Sequence, residues 1–227
     1  MTAPRDSTIV PKDVRAVLFD LDGTFADTAP DMARALNAVR RARKLPPVPL
    51  SQLRPHVSSG ARGMLQAGFN LSPGGTEFSE LRDAFYEEYA AGVCIDSRWF
   101  EGMTAVIGEL ERRGVIWGIV TNKAARFTLP LHNALAITPR AACVVCGDTC
   151  TRAKPHPDSL LHAAALIGID PIHCLYVGDD ERDIIAANAA GMRGLVAMYG
   201  YLGAGTDPKF WPAAAWVESP ADILAMC

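Results

Sequence analysis

Short apolar segments rich in Val, Ile and Leu recur at residues 14–19, 115–120, 142–146, 173–177 and 194–198, and after the second they are separated by stretches of helical character. Strands alternating with helices argue for a parallel sheet covered by helices on its faces, so the expected fold class is α/β. One helix is expected over about 103–113, where Arg112-Arg113-Gly114 places basic residues in a last turn and a glycine past its end. Another is expected over about 156–167, before Gly168, and a terminal strand near Ala215-Trp216-Val217.

The first crossover breaks this rhythm. A strand-helix-strand unit needs only about 30 residues, yet residues 23–114 separate Asp22 from the next apolar segment. The excess has helical periodicity of its own, with Met32, Leu36 and Val39 in one stretch and Phe78, Leu81, Phe85 and Tyr89 in another, punctuated by Pro46, Pro47, Pro49 and Pro55. Residues 28–97 are therefore expected to form a helical cap domain inserted after the first strand and lying over the strand ends. Residues 14–27 and 98–227 form the expected α/β core domain. The aromatic stripes read as the cap's own core, and Arg40, Arg41, Arg43 and Lys44 as a solvated helix end favoured by the macrodipole.

Chemistry enters at Val17-Leu18-Phe19-Asp20-Leu21-Asp22-Gly23-Thr24, where an apolar run ends in two carboxylates spaced i, i+2. Alternation turns both toward one side at the carboxyl end of a strand, where open α/β sheets bind ligands. Two ionised carboxylates about 4 Å apart repel by about 4 kcal/mol at an effective dielectric of about 20. A cation with a taste for oxygen, Mg²⁺ first, would relieve that. The competing reading is a strand ending in an Asp-Gly turn.

Three more polar clusters follow strands or connect them: Thr121-Asn122-Lys123, Lys154-Pro155, and Gly178-Asp179-Asp180 with Asp183. Singly, each has a bland reading, with Thr121 an N-cap, Lys154 a surface charge and Asp179-Asp180 a helix-start pair. Together they converge on one sheet edge as an acidic nest, phosphate-binding polar groups and a neutralising lysine. Such parts suit phosphoryl transfer, in which positioning and charge stabilisation carry most of the catalysis.

In these four motifs, and in their order, the chain resembles the haloacid dehalogenase superfamily over about residues 14 to 200, and within it the phosphatases with a helical cap. The resemblance implies a Rossmann-like parallel sheet core. It also implies that Asp20 is the nucleophile forming an aspartyl-phosphate, and that Asp22 protonates the leaving oxygen and then activates water. Mg²⁺ would be held by a carboxylate oxygen of Asp20, the backbone carbonyl of Asp22 and the carboxylate of Asp179. Thr121, Asn122 and Lys154 would grip the phosphoryl group, with Asp180 and Asp183 orienting water or Lys154. Relatives that displace a halide lack a carboxylate at the position of Asp22, since a halide needs no proton. Phe25 stands where relatives usually have leucine.

The chain most resembles the bacterial phosphoglycolate phosphatase group and its relative acting on N-acetylmuramic acid 6-phosphate. Ser58-Ser59-Gly60-Ala61-Arg62-Gly63 occupies the place of the specificity loop, and Tyr199-Gly200-Tyr201 follows the last clear core strand. This places Ser59, Gly60 and Arg62 at the substrate, Arg62 as a clamp for a carboxylate that both candidate substrates carry. The alternative is a tight turn at Gly60 and Gly63 with Arg62 facing water. Two other activities share parts of the site. A phosphosugar mutase differs by excluding water from the aspartyl-phosphate, and a phospho-receiver switch uses similar groups in an order that this chain does not follow.

At 227 residues, 49% hydrophobic and with a formal charge of −3, the chain has no basic excess for nucleic acid. No apolar run approaches the roughly 18 to 20 residues of a membrane span, and the polar segment Met1 to Asp13, with Pro4 and Pro11, lacks a signal-peptide core. The expected location is cytoplasmic and the expected partner a small phosphorylated molecule, with oligomeric state left open. Six cysteines include Cys143, Cys146 and Cys150, but no second paired motif completes a zinc site, so buried structural thiols are expected.

Overall fold

The computed structural model describes residues 13–138 and 140–227, so the polar tail lies, up to residue 12, outside the described residues. Its strands are β1 (Ala16–Phe19), β2 (Ala26–Asp27), β3 (Arg98–Trp99), β4 (Ile116–Val120), β5 (Val144–Val145), β6 (Cys174–Gly178), β7 (Arg193–Ala197) and β8 (Ala215–Val217). Its helices are α1 (Ala29–Ala42), α2 (Leu50–Leu53), α3 (Gly60–Phe69), α4 (Gly75–Ala90), α5 (Met103–Arg112), α6 (Ala125–Ala134), α7 (Asp158–Ile167) and α8 (Glu181–Ala189).

Six strands make one parallel sheet in the order β5-β4-β1-β6-β7-β8. β1 sits between β4 and β6, and all four of its residues are fully buried. Alternation sends Val17 and Phe19 to one apolar cluster and Ala16 and Leu18 to another. Met103, Val106, Ile107 and Leu110 of α5, at helical spacing, cover the first face. Leu160, Ala163 and Ala164 of α7 and Ala186 and Ala187 of α8 cover the second. The expected apolar segments thus become strands, although 142–146 ladders only at Val144 and Val145.

Between β1 and β4 the chain builds α1 to α4 around a separate apolar cluster containing Met32, Leu36, Val39, Phe78, Leu81, Phe85 and Tyr89, joined by Phe127 of α6 and by Tyr201. β2 and β3 pair antiparallel, so the strand leaving for these helices and the strand returning lie side by side. Asp31, fully buried, accepts hydrogen bonds from the N–H groups of Ile95, Asp96 and Ser97 and from the Ser97 hydroxyl, tying α1 to the returning chain. Arg40 departs from a merely solvated helix end: it donates to the carbonyls of Pro46, at 2.8 Å, and Gly68, and lies over the Phe69 ring.

Among the described residues no helix is long and apolar enough to cross a membrane. The six cysteines are free thiols; Cys143, Cys146 and Cys174 are buried, and burial pushes each of these thiols up.

Candidate active site

The carboxyl ends of β1, β4 and β6 point their loops to a common place. Asp20 follows β1 and is anchored by its N–H on the Val177 carbonyl at 2.9 Å. The chain then turns so tightly that Phe25 and Ala26 donate back to the carbonyls of Asp20 and Leu21. Gly23 makes the turn possible: its φ is +88°, and a Cβ there would stand 2.1 Å from the Asp179 Oδ2.

Lys154, on the loop after β5, is buried with its Nζ 2.9 Å from Asp20 Oδ1, 2.7 Å from Asp183 Oδ1 and 2.7 Å from the Tyr176 hydroxyl. Burial works against its charge, but the neighbouring Asp183 and Asp20 outweigh that and hold the ammonium above its usual range. The Tyr176 hydroxyl donates to the Val120 carbonyl at 2.7 Å, and burial beside acidic groups keeps it a neutral phenol. Tyr176 is a site residue the sequence hides, because it reads as one more apolar strand position.

Asp22 is held differently. Its Oδ1 accepts from Lys123 Nζ at 2.8 Å and from the Thr28 hydroxyl. Burial disfavours the Lys123 charge, yet Asp22 outweighs it, and the ammonium also lies 4.8 Å from the Tyr89 ring centre. Lys123 stands beside Thr121-Asn122 in the sequence, but nothing there says that it reaches back to Asp22.

Asp20, Asp179 and Asp183 each offer a carboxylate oxygen within 4.8 Å of the others. Burial, then the charges of Asp20 and Asp183, push the Asp179 carboxyl well above the usual carboxylate range. A buried all-oxygen donor set in which neighbouring acids push Asp179 up fits a hard divalent cation such as Mg²⁺. Asp179 is oriented by the Thr24 hydroxyl at 3.1 Å, the Tyr201 N–H at 2.9 Å and the Ser58 hydroxyl at 3.2 Å. Gly200 lets that last loop close in, since a Cβ there would lie 2.4 Å from the Asp179 Cβ. Asp183 differs from the other two: its Oδ1 faces Lys154 at 2.7 Å and its Oδ2 accepts the Asp180 N–H at 3.1 Å.

Thr121 is buried at the end of β4, its hydroxyl accepting the Lys123 N–H at 3.1 Å. The Asn122 amide, expected on the phosphoryl group, is instead engaged with the backbone of Lys154: Nδ2 donates to its carbonyl and Oδ1 accepts its N–H, both at 3.0 Å. Asp180 caps α8, accepts from Arg182, and lies at the cleft with it.

Asp20, Asp22, Thr121, Asn122, Lys123, Lys154, Asp180, Arg182 and Asp183 line one cleft of about 340 Å³, with Asp179 and Tyr176 behind its wall, and Ser59, Gly60 and Arg62 line it from the helical side. The expected specificity loop and the acidic nest therefore meet. Arg182 ties the two sides by donating to the Ser58 carbonyl at 2.8 Å.

A family model for haloacid dehalogenase-like hydrolases matches residues 17–197. The chain belongs to this family. It is 40% identical over 211 residues to an N-acetylmuramic acid 6-phosphate phosphatase of Pseudomonas aeruginosa, covering 93% of each chain. It is 44% identical over 210 residues to a phosphoglycolate phosphatase of Xanthomonas campestris pv. campestris, covering 92% of this chain and 94% of that one. Among solved structures, a predicted phosphoglycolate phosphatase from Haemophilus somnus superposes with a TM-score of 0.82 at 26% identity, over 93% of this chain and 97% of that one. The haloacid dehalogenase-like hydrolase assignment covers β1 through β7 and so includes all four motifs of the cleft.

Proposed function

We propose that this protein is a Mg²⁺-dependent phosphomonoesterase acting through an aspartyl-phosphate on a small, carboxylate-bearing phosphorylated metabolite, with residues 28–97 serving as a cap over a core of 14–27 and 98–227. The observation that carries the reading is the juxtaposition, in one cleft, of Asp20 paired with Lys154 at 2.9 Å, Thr121, and a separately held Asp22. Asp20 would attack phosphorus as the ester P–O bond breaks, and the leaving alkoxide would take a proton from Asp22. Asp22, now ionised, would take a proton from water as that water attacks phosphorus, and Asp20 would be released with inorganic phosphate. Lys154 and Thr121 would hold the phosphoryl oxygens. The Asn122 amide would act on them through Lys154, whose backbone it fixes. Asp20, Asp179 and the Asp22 backbone carbonyl would hold Mg²⁺, which offsets the negative charge shared by the phosphoryl group and the carboxylates.

The relatives named above point to phosphoglycolate or N-acetylmuramic acid 6-phosphate. A cleft of about 340 Å³ falls in the range of sites that enclose drug-sized ligands, and Phe85, Tyr86, Tyr89 and Phe127 supply aromatic surface along it. Both features favour the sugar phosphate over the two-carbon acid. The test is phosphate release from a panel of phosphorylated metabolites that includes both. The expected result is free phosphate, with the highest kcat/KM on a carboxylate-bearing ester and no turnover after chelation of divalent metal. An isomerised sugar phosphate in place of free phosphate, or undiminished turnover without metal, would contradict the proposal.

A further inference from the structure

The cleft is lined by five cationic side chains, and three of them are paired: Lys154 with Asp20 and Asp183, Lys123 with Asp22, and Arg182 with Asp180. Arg62 and Arg126 differ. Among the described residues no carboxylate oxygen lies within 4.0 Å of either guanidinium. Arg62 comes from the first turn of α3, and Arg126 from the first turn of α6, on the other side of the cleft's two contributing layers.

Arg126, although exposed, packs against aromatic rings. Its guanidinium carbon lies 4.6 Å from the ring centres of both Tyr86 and Phe127, which are themselves 5.2 Å apart. Aromatic faces engage the π surface of a guanidinium and leave the N–H groups at its edge free, in the planar fork that matches a carboxylate. A donor fixed before the ligand arrives loses less freedom on binding than a mobile one. Arg126, Tyr86 and Phe127 also line an adjoining hollow with Asp83 and Glu87, which Asp20 and Lys154 do not reach. Arg126 therefore stands where the cleft meets this hollow, beyond which acidic side chains turn the field against an anion.

Resting on the phosphatase reading above, we infer that Arg126 is a specificity-determining residue, receiving the carboxylate of an acidic phosphate ester at the end of the cleft remote from the phosphoryl group, with Arg62 supplying a second guanidinium. It binds substrate equally before and during phosphoryl transfer, so its loss raises KM and spares kcat.

Two matched substrate pairs test this: phosphoglycolate against 2-hydroxyethyl phosphate, and N-acetylmuramic acid 6-phosphate against N-acetylglucosamine 6-phosphate. Within each pair the second member lacks the carboxylate. Wild type favours the acidic member of at least one pair. Arg126→Ala lowers that acid-to-neutral ratio of kcat/KM by about tenfold or more, the scale of a lost hydrogen bond to a charged group, through KM. Arg126→Lys keeps part of the ratio by charge alone, and Arg126→Gln, a shorter polar side chain without charge, loses it. Arg62→Ala has the smaller effect, and Arg112→Ala, an exposed charge on α5 away from the cleft, keeps the wild-type ratio. A wild-type preference that survives in Arg126→Ala and Arg126→Gln would overturn the role of Arg126 while leaving the phosphatase reading in place. Phosphate release with no wild-type preference in either pair would overturn both this role and the carboxylate-bearing substrate class, and absence of phosphate release from every ester would overturn the phosphatase reading itself.

Discussion

Asp20 and Asp22 are two residues apart and chemically identical, yet their neighbours differ: Lys154 and the acidic cluster for Asp20, Lys123 and Thr28 for Asp22. Asp20, Asp22 and Asp179 are legible in the sequence because acids end apolar runs there, and Lys154 because it takes its place in four motifs whose order resembles that of the family. It does not make Lys123 or Asn122 legible. Either could face a phosphoryl group or a protein group, and only the path of the loops decides. His132 is a different case, a fully buried histidine on α6 whose ring nitrogens have no hydrogen-bond partner among the described residues. Burial pushes it down to about 4 from the ordinary 6.5, against a smaller opposing effect of the Asp22 charge. Between those values the unfolded chain binds a proton that the folded chain refuses, so stability falls as pH drops through this window, by about 1.4 kcal/mol per pH unit from this group. Urea midpoints measured from pH 7 to pH 4 should decline, and His132→Leu should flatten the slope. Equal slopes in the two proteins would show that His132 is not the group responsible.

At the scale of elements, the long strands and α5 were readable from apolar runs and helix-end residues. β2 and β3, two residues each, carry too little pattern to be read, although they bring the outgoing and returning chain together. α6 contains Pro130, a residue that argues against a helix interior. The start of α1 was hidden for another reason: its cap comes from far along the chain. Thr28 stands at the N-cap position but sends its hydroxyl to Asp22, and the Tyr201 hydroxyl accepts the N–H groups of Thr28 and Ala29 at 2.8 and 3.0 Å instead. The same hydroxyl donates to Asp27, at 2.9 Å. Tyr201→Phe leaves two buried N–H groups with one acceptor fewer and should destabilise the fold by about 1–3 kcal/mol, the cost of an unsatisfied buried group. Chemical denaturation reads this directly, and a Phe variant as stable as wild type would mean that other acceptors cap α1.

For the whole molecule, the sequence conveyed a sheet with a helical insertion and the convergence of four motifs at its strand ends. It conveyed much less of how the helical layer meets the sheet. Ser58 on Asp179, Arg182 on the Ser58 carbonyl and Arg54 on Asp27 at 2.9 Å are contacts between segments far apart in the chain, fixed by the placement of whole layers rather than by any local pattern. Those contacts bring Ser59, Gly60 and Arg62 to the same cleft as Asp20. In the proposed reaction this cleft would pass a phosphoryl group to Asp20 before water receives it. Acid-quenched peptide mapping during turnover of p-nitrophenyl phosphate, whose leaving group needs little protonation, measures that step in wild type and Asp22→Asn. A hydroxylamine-labile phosphoryl group is expected on the peptide containing Asp20, building up in Asp22→Asn because the attack of water has lost its base. Continued phosphate release with no phosphorylated enzyme in either protein would contradict this reaction.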